Sequence, residues 1–167
     1  MADPIPRARQ YDQARIDSMF RRADHQWESG ELRSAFRLFL GCAKAGDLGC
    51  QINVGIFYAD GIGVKRNRER ALYWHRLAYR RGSGAAAANV GVLFRDEGKI
   101  PQALAWFKRA VKLQNADANL QIAKIYLQKA DESKAVIYLR RTSNAMPNHV
   151  TEASREEAQD ILRRLLK

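Results

Sequence analysis

Three histidines and two cysteines are the residues from which nucleophilic or metal chemistry could be built in this sequence: His25, His75, His149, Cys42 and Cys50. A nucleophilic thiol needs a base within hydrogen-bond reach. His25 and Cys42 fall on two successive predicted helices, so a Cys–His pair is conceivable. Against it, Cys42 stands where the periodicity places small packing residues, and Cys50 likewise reads as a small core residue. His75 occupies the place that Phe107 holds one period later, so it reads as a packed interhelical side chain. No C-x-x-C, H-E-x-x-H or phosphate-binding loop is present. Gly61-Ile62-Gly63 follows no strand, and the repeat described below accounts for both glycines. No catalytic residue, no metal and no cofactor are expected, and the chain does not read as an enzyme.

The other chemistry is charge. Lys and Arg number 29 against 18 Asp and Glu, a net charge of +11. Such a balance speaks to partners, namely acidic proteins, nucleic acid or an anionic surface. The densest run is Lys65 to Arg81, with Lys65, Arg66, Arg68, Arg70, Arg76, Arg80 and Arg81 against Glu69. On a helix, Arg70, Tyr73, Arg76 and Arg80 share one face, opposite Trp74 and Ala78. With Arg66 beside it, that face could meet phosphates or stack a base. The simpler reading is a solvated outer face. Basic residues elsewhere, such as Arg21, Arg109, Arg140 and Arg163, spread the charge over the molecule.

The elements that position these residues repeat. Ala71, Trp74 and Ala78 are matched by Ala103, Trp106 and Ala110, and more loosely by Ala35, Leu38, Cys42 and by Ala135, Tyr138, Thr142. Offsets of three and seven residues lie on one helix face. A second motif precedes three of these anchors: Gly55-Ile56-Phe57-Tyr58 ending at Gly61, Gly91-Val92-Leu93-Phe94 ending at Gly98, and Ala123-Lys124-Ile125-Tyr126. In the first unit it begins at Ala23. The spacing from Cys42 to Gly55, from Ala78 to Gly91 and from Ala110 to Ala123 is constant. Two amphipathic helices per unit cannot bury their apolar faces alone, so neighbours must stack.

This pattern predicts helices over 12–28, 32–45, 48–60, 67–81, 84–97, 101–114, 117–129, 132–143 and 151–166. Pro101 suits the first turn of one helix, Gly61 and Gly98 end two others, and Thr151 caps the last. The fold class is all-α: a right-handed α/α superhelix, or solenoid, of about four helix-turn-helix repeats plus a C-terminal capping helix. The units are 12–46, 47–82, 83–115 and 116–143, preceded by a flexible arm over 1–11 and closed by 144–167. Neither a secretory signal nor a membrane-spanning run is evident. Two cysteines do not make a disulfide framework, so a reducing cytoplasm is the expected home.

At Tyr58-Ala59-Asp60-Gly61-Ile62-Gly63-Val64, Arg70-Ala71-Leu72-Tyr73-Trp74, Ala78 and Gly82, the chain resembles the Sel-one-like repeat. The unit holding Gly91, Phe94, Gly98, Ala103, Phe107 and Ala110 resembles the related tetratricopeptide repeat. The resemblance runs through 48–115, continues over 116–143 and is faint over 12–45. It implies an adaptor or scaffold, of a kind common in bacteria, that holds a partner protein, plausibly acidic, in a concave groove. Stand-alone members can serve as secretion chaperones or immunity proteins. The groove is expected to be lined by first helices, at Asp24 and Trp27, at Asn53, Ile56 and Asp60, at Asn89, Val92, Arg95 and Asp96, and at Lys124 and Gln128.

Two readings of Asn53 and Asn89 stand open. An amide on an inner helix can hold an extended peptide, because it both donates and accepts, or it can form a hydrogen bond between units. Trp27 is likewise either a groove anchor or a ring packed under the N-terminal arm. The stretches where a carboxylate clamp would need Lys or Arg carry Phe20, Asp24 and Ala85, which argues against that mode. The alternative function is polyanion binding through Arg66, Arg70, Tyr73, Arg76 and Arg80.

Overall fold

The computed structural model describes residues 12–167, and the arm expected over 1–11 lies outside them. The described residues form α-helices and turns and no strand. The helices are α1 (Gln13–Glu28), α2 (Leu32–Lys44), α3 (Leu48–Asp60), α4 (Arg68–Arg80), α5 (Gly84–Asp96), α6 (Ile100–Lys112), α7 (Asp117–Gln128), α8 (Glu132–Ser143) and α9 (Glu152–Leu165). Each falls where the periodicity places it, within two residues at either end. A single 3-10 turn over Pro147–His149 precedes α9.

Local chemistry starts and stops these helices. The side chains of Asp47, Asn67, Ser83 and Thr151 accept hydrogen bonds from the amides of Cys50, Arg70, Ala86 and Ser154, which cap α3, α4, α5 and α9. Pro101 sits in the first turn of α6, where its missing N–H leaves nothing unpaired. Gly61 ends α3 at φ +76°, a left-handed stop that a Cβ disfavours. The same backbone hand recurs at Gly98, and at two residues that are not glycine, Gln114 (φ 62°) and Ala130 (φ 55°).

The chain divides into two compact units, one ending at Arg81 and one beginning at Gly82. In the first, α1 pairs with α2 and α3 with α4. Its core is aromatic. Phe39 and Phe57 are fully buried with ring centroids 5.5 Å apart, and Phe20, Trp27 and Phe36 pack around them. The turn between α2 and α3 carries a covalent tie. Cys42 and Cys50 form a disulfide with Cα atoms 5.9 Å apart, and no free cysteine remains. This corrects the reading of both as small core thiols. They do occupy small-residue sites at the junction, and the closeness that suits small side chains also suits a sulfur–sulfur bond.

In the second unit α5 pairs with α6, and α7 with α8. The last helix, α9, lies mainly on α8. There Ala158 joins Leu120, Ala123 and Leu139, with Ile161, Leu162 and Leu165 packed around them. The segment leading into α9 is pinned to the start of α7. The Ala116 amide donates to the His149 carbonyl at 2.7 Å, and the Thr151 amide donates to Asp117 at 2.9 Å.

The α3–α4 and α5–α6 hairpins each cross on a glycine. A Cβ on Gly55 would stand 2.4 Å from the His75 ring, and one on Gly91 would stand 2.7 Å from the Phe107 ring. The Gly91 crossing lies within its own hairpin, α5 on α6, rather than between successive hairpins. Gly91→Leu is expected to force these helices apart at a cost of about 1–3 kcal/mol. Thermal unfolding followed by circular dichroism reads this directly, and an unchanged melting curve would contradict the crossing.

Candidate partner-binding faces

The side chains expected to meet a partner sit on α1, α3, α5 and α7. On α3, Asn53 and Ile56 are half-buried on one side of the helix, and Asp60 is exposed at its C-terminal end. On α5, Asn89, Val92 and Arg95 are half-buried and Asp96 is exposed. On α7, Lys124 is half-buried and Gln128 exposed. Among the described residues, neither the amide of Asn53 nor that of Asn89 makes a hydrogen bond. Such an amide can both donate and accept.

Other expected residues are already engaged. Trp27 stands edge-on to Phe39 and Phe57, with centroids 6.0 and 5.2 Å away, so its ring props α1 against α2 and α3 rather than standing free. Arg95 grips Asp96 through two nitrogens at 2.8 and 3.0 Å and donates to Gln121 on α7 at 2.7 Å. Lys124 pairs with Glu157 on α9 at 2.7 Å. These contacts link α5, α7 and α9 side by side along one exposed face of the second unit. Asp24 is exposed on α1.

Gln121 was missed from the sequence. It falls at the same offset from Ala123 as Asn89 does from Gly91, so the register itself could have found it. Glu157 had no such signal, because α9 has no following helix to mark its register.

The basic helix α4 is mixed in the same way. The Arg70 guanidinium lies over the Tyr58 ring, 5.4 Å from its centroid, and donates to the Tyr58 hydroxyl at 3.0 Å. Lys134 lies over Tyr126 at the same distance in the second unit. Arg70 thus ties α4 to α3 rather than standing ready for a phosphate. Arg81 donates to the Gly46 carbonyl and, at 3.3 Å, to Gln51. A groove of about 400 Å³ lies beside Leu72, Tyr73, Arg76 and Arg80, with Glu69 at its edge. Arg66, in the loop before α4, is exposed.

Burial drives the His75 pKa down to about 4, and its Nδ1 has no hydrogen-bond partner. Lys134, hydrogen-bonded to Asp131, holds that carboxyl below its ordinary range. Among the described residues no three His, Cys, Asp or Glu side chains come together as a metal site. No described helix is long and apolar enough to cross a membrane.

Comparison with known proteins follows the same repeats. Residues 48–83, 84–115 and 116–145 each match the Sel1 repeat. A putative sel1-like repeat-containing protein of Acanthamoeba polyphaga mimivirus is 27% identical over 86 residues, which is 52% of this chain but 16% of the viral protein. The Sel1 repeat protein of Oxalobacter formigenes superposes with a TM-score of 0.62 at 23% identity, over 75% of this chain and 56% of that one. A protective antigen of uropathogenic Escherichia coli with the SLR fold gives 0.63 at 19% identity, over 77% of this chain and 30% of the antigen. The chain thus spans little more than half, or less, of each of these relatives.

Proposed function

Because the chain belongs to the Sel1 repeat family, we propose that it is a scaffold that holds a partner protein against the exposed sides of its first helices. The observation that carries this is the pair of amides, Asn53 and Asn89, that make no hydrogen bond among the described residues. They occupy one register position on successive first helices, each beside a half-buried aliphatic side chain, Ile56 or Val92. An amide flanked by apolar surface suits the backbone of a bound segment, with the aliphatic residues covering its side chains. The net charge of +11 favours an acidic partner and would speed its approach at low salt. A secretion-chaperone or immunity role is consistent with this kind of grip.

The test begins with affinity purification of the tagged chain from nuclease-treated lysate of its native cell. A stoichiometric protein is expected, and its affinity is then measured for Asn53→Ala/Asn89→Ala. Two lost hydrogen bonds should weaken binding about tenfold. The melting curve should stay in place, since neither amide holds its own unit together. Unchanged affinity would sink the proposal. The groove beside Tyr73, Arg76 and Arg80 favours a second reading, polyanion binding. Recovery of nucleic acid alone when nuclease is omitted, lost in Arg76→Glu/Arg80→Glu and falling steeply with salt, would move the function there.

A further inference from the structure

Cys42 lies on the buried side of α2 and Cys50 in the first turn of α3, and neither has any exposed surface. They are the two cysteines of the whole sequence, so the disulfide consumes every thiol the chain has. The corresponding junction in the second unit, between α6 and α7, carries Ala110 and Ala118 at the same separation. Both alanines are fully buried. That junction therefore closes by packing alone, with a methyl group where each sulfur stands in the first unit. The two sulfurs do not form part of a metal site either, since no further His, Asp or Glu joins them among the described residues. What they add is a covalent bond.

We propose that this chain folds and works in an oxidising compartment, and that the partner it holds is a protein of that same compartment. Disulfides form and persist where an oxidant is supplied and thiol reductants are scarce. The step balances with an oxidised dithiol oxidoreductase as the oxidant. A Cys42 or Cys50 thiolate attacks the enzyme's disulfide, releasing one of its thiols. The second cysteine then displaces the other, leaving Cys42–Cys50 oxidised and the enzyme reduced by two electrons and two protons.

Burial fixes the timing. With both sulfurs enclosed, an enzyme reaches them only while the α2–α3 turn is still forming. The short loop then brings them together. Gly46 turns at φ +101° between the helices, and Asp47 caps α3 by accepting the Cys50 amide at 2.7 Å. Once folded, the bond is closed to small reductants, which marks it as a constitutive tie rather than a switch.

The experiment uses the full chain at its native level in its own cell. Cells are quenched in acid, free thiols are alkylated under denaturing conditions, and the protein is read by mass spectrometry alongside fractionation of the cell. The expected result is a chain with both cysteines unalkylated, in a fraction separate from a reduced cytosolic thiol protein. The Cys42→Ala/Cys50→Ala variant, which copies the alanine junction, should appear in that same fraction, so loss of the bond and loss of the compartment are told apart. Alkylation of both cysteines in the quenched wild type would overturn the proposal. So would an oxidised chain that fractionates with the cytosolic marker.

Discussion

Acidification from about pH 6.5 to about pH 4 is expected to remove about 3 kcal/mol of stability from the first unit through one side chain, His75. Its imidazole is 1% exposed, packed against Gly55, with Nδ1 unpartnered. Burial disfavours the cation and holds the folded pKa near 4, while the unfolded chain takes up a proton near 6.5. Above that upper value both states are neutral and stability is full. As pH falls, the unfolded state gains a proton that the folded state refuses, so stability drops through the window. Below the lower value both states are protonated and the slope ends. Phe107 makes the same contact with Gly91 in the second unit, so His75→Phe borrows the protein's own packing solution. Urea unfolding across the window should show the variant losing less stability than the wild type. Parallel losses would exclude His75 as the cause.

Removing the Cys42–Cys50 bond should cost about 2–3 kcal/mol, because the tie shortens the unfolded chain's freedom over a separation of eight residues. The two alanines of Cys42→Ala/Cys50→Ala fit a junction that Ala110 and Ala118 already show to be well packed, so the loss is mostly that of the cross-link. A fall of roughly 5–10 °C in melting temperature is the expected readout under non-reducing conditions. Wild type unfolded and refolded in reductant should melt where the variant does. If the variant melts with the oxidised protein, the bond contributes nothing to stability. The first hairpin has reason to depend on it, for α1 buries only Ile16 and Ala23, whereas α3 buries Cys50, Gln51, Val54, Gly55, Phe57 and Tyr58.

The helices were legible because the units share one period, and several of them write a cap or a glycine stop in local residue types. Asp47, Asn67, Ser83 and Thr151 are readable as caps without any knowledge of tertiary contacts. Cys42 and Cys50 were legible as small and buried but not as bonded, since spacing gives position along each helix and not the distance across the turn between them. The side chains of the candidate faces divide along the same line. Asn53 and Asn89 could be placed by register. That Arg95 turns to Gln121 and Asp96, that Arg70 covers Tyr58, and that Trp27 packs on Phe57 depends on how far a long side chain reaches, which no offset records. Burial of His75 was readable because the neighbouring unit writes Phe at the same place.

The left-handed turns after the helices carry a consequence of a different kind. At Gly30, Gly46, Gly82 and Gly98 the chain meets the required backbone hand with glycine, but at Gln114 and Ala130 it meets the same hand with a Cβ in place. For residues other than glycine that conformation costs roughly 1–2 kcal/mol each. What recurs from one repeat to the next is thus the sign of a dihedral angle, and glycine is only its commonest spelling. A repeat counted by its glycines would end after Gly98, although the geometry goes on for another hairpin. The strain at Gln114 and Ala130 also leaves the second unit below the stability its own backbone allows.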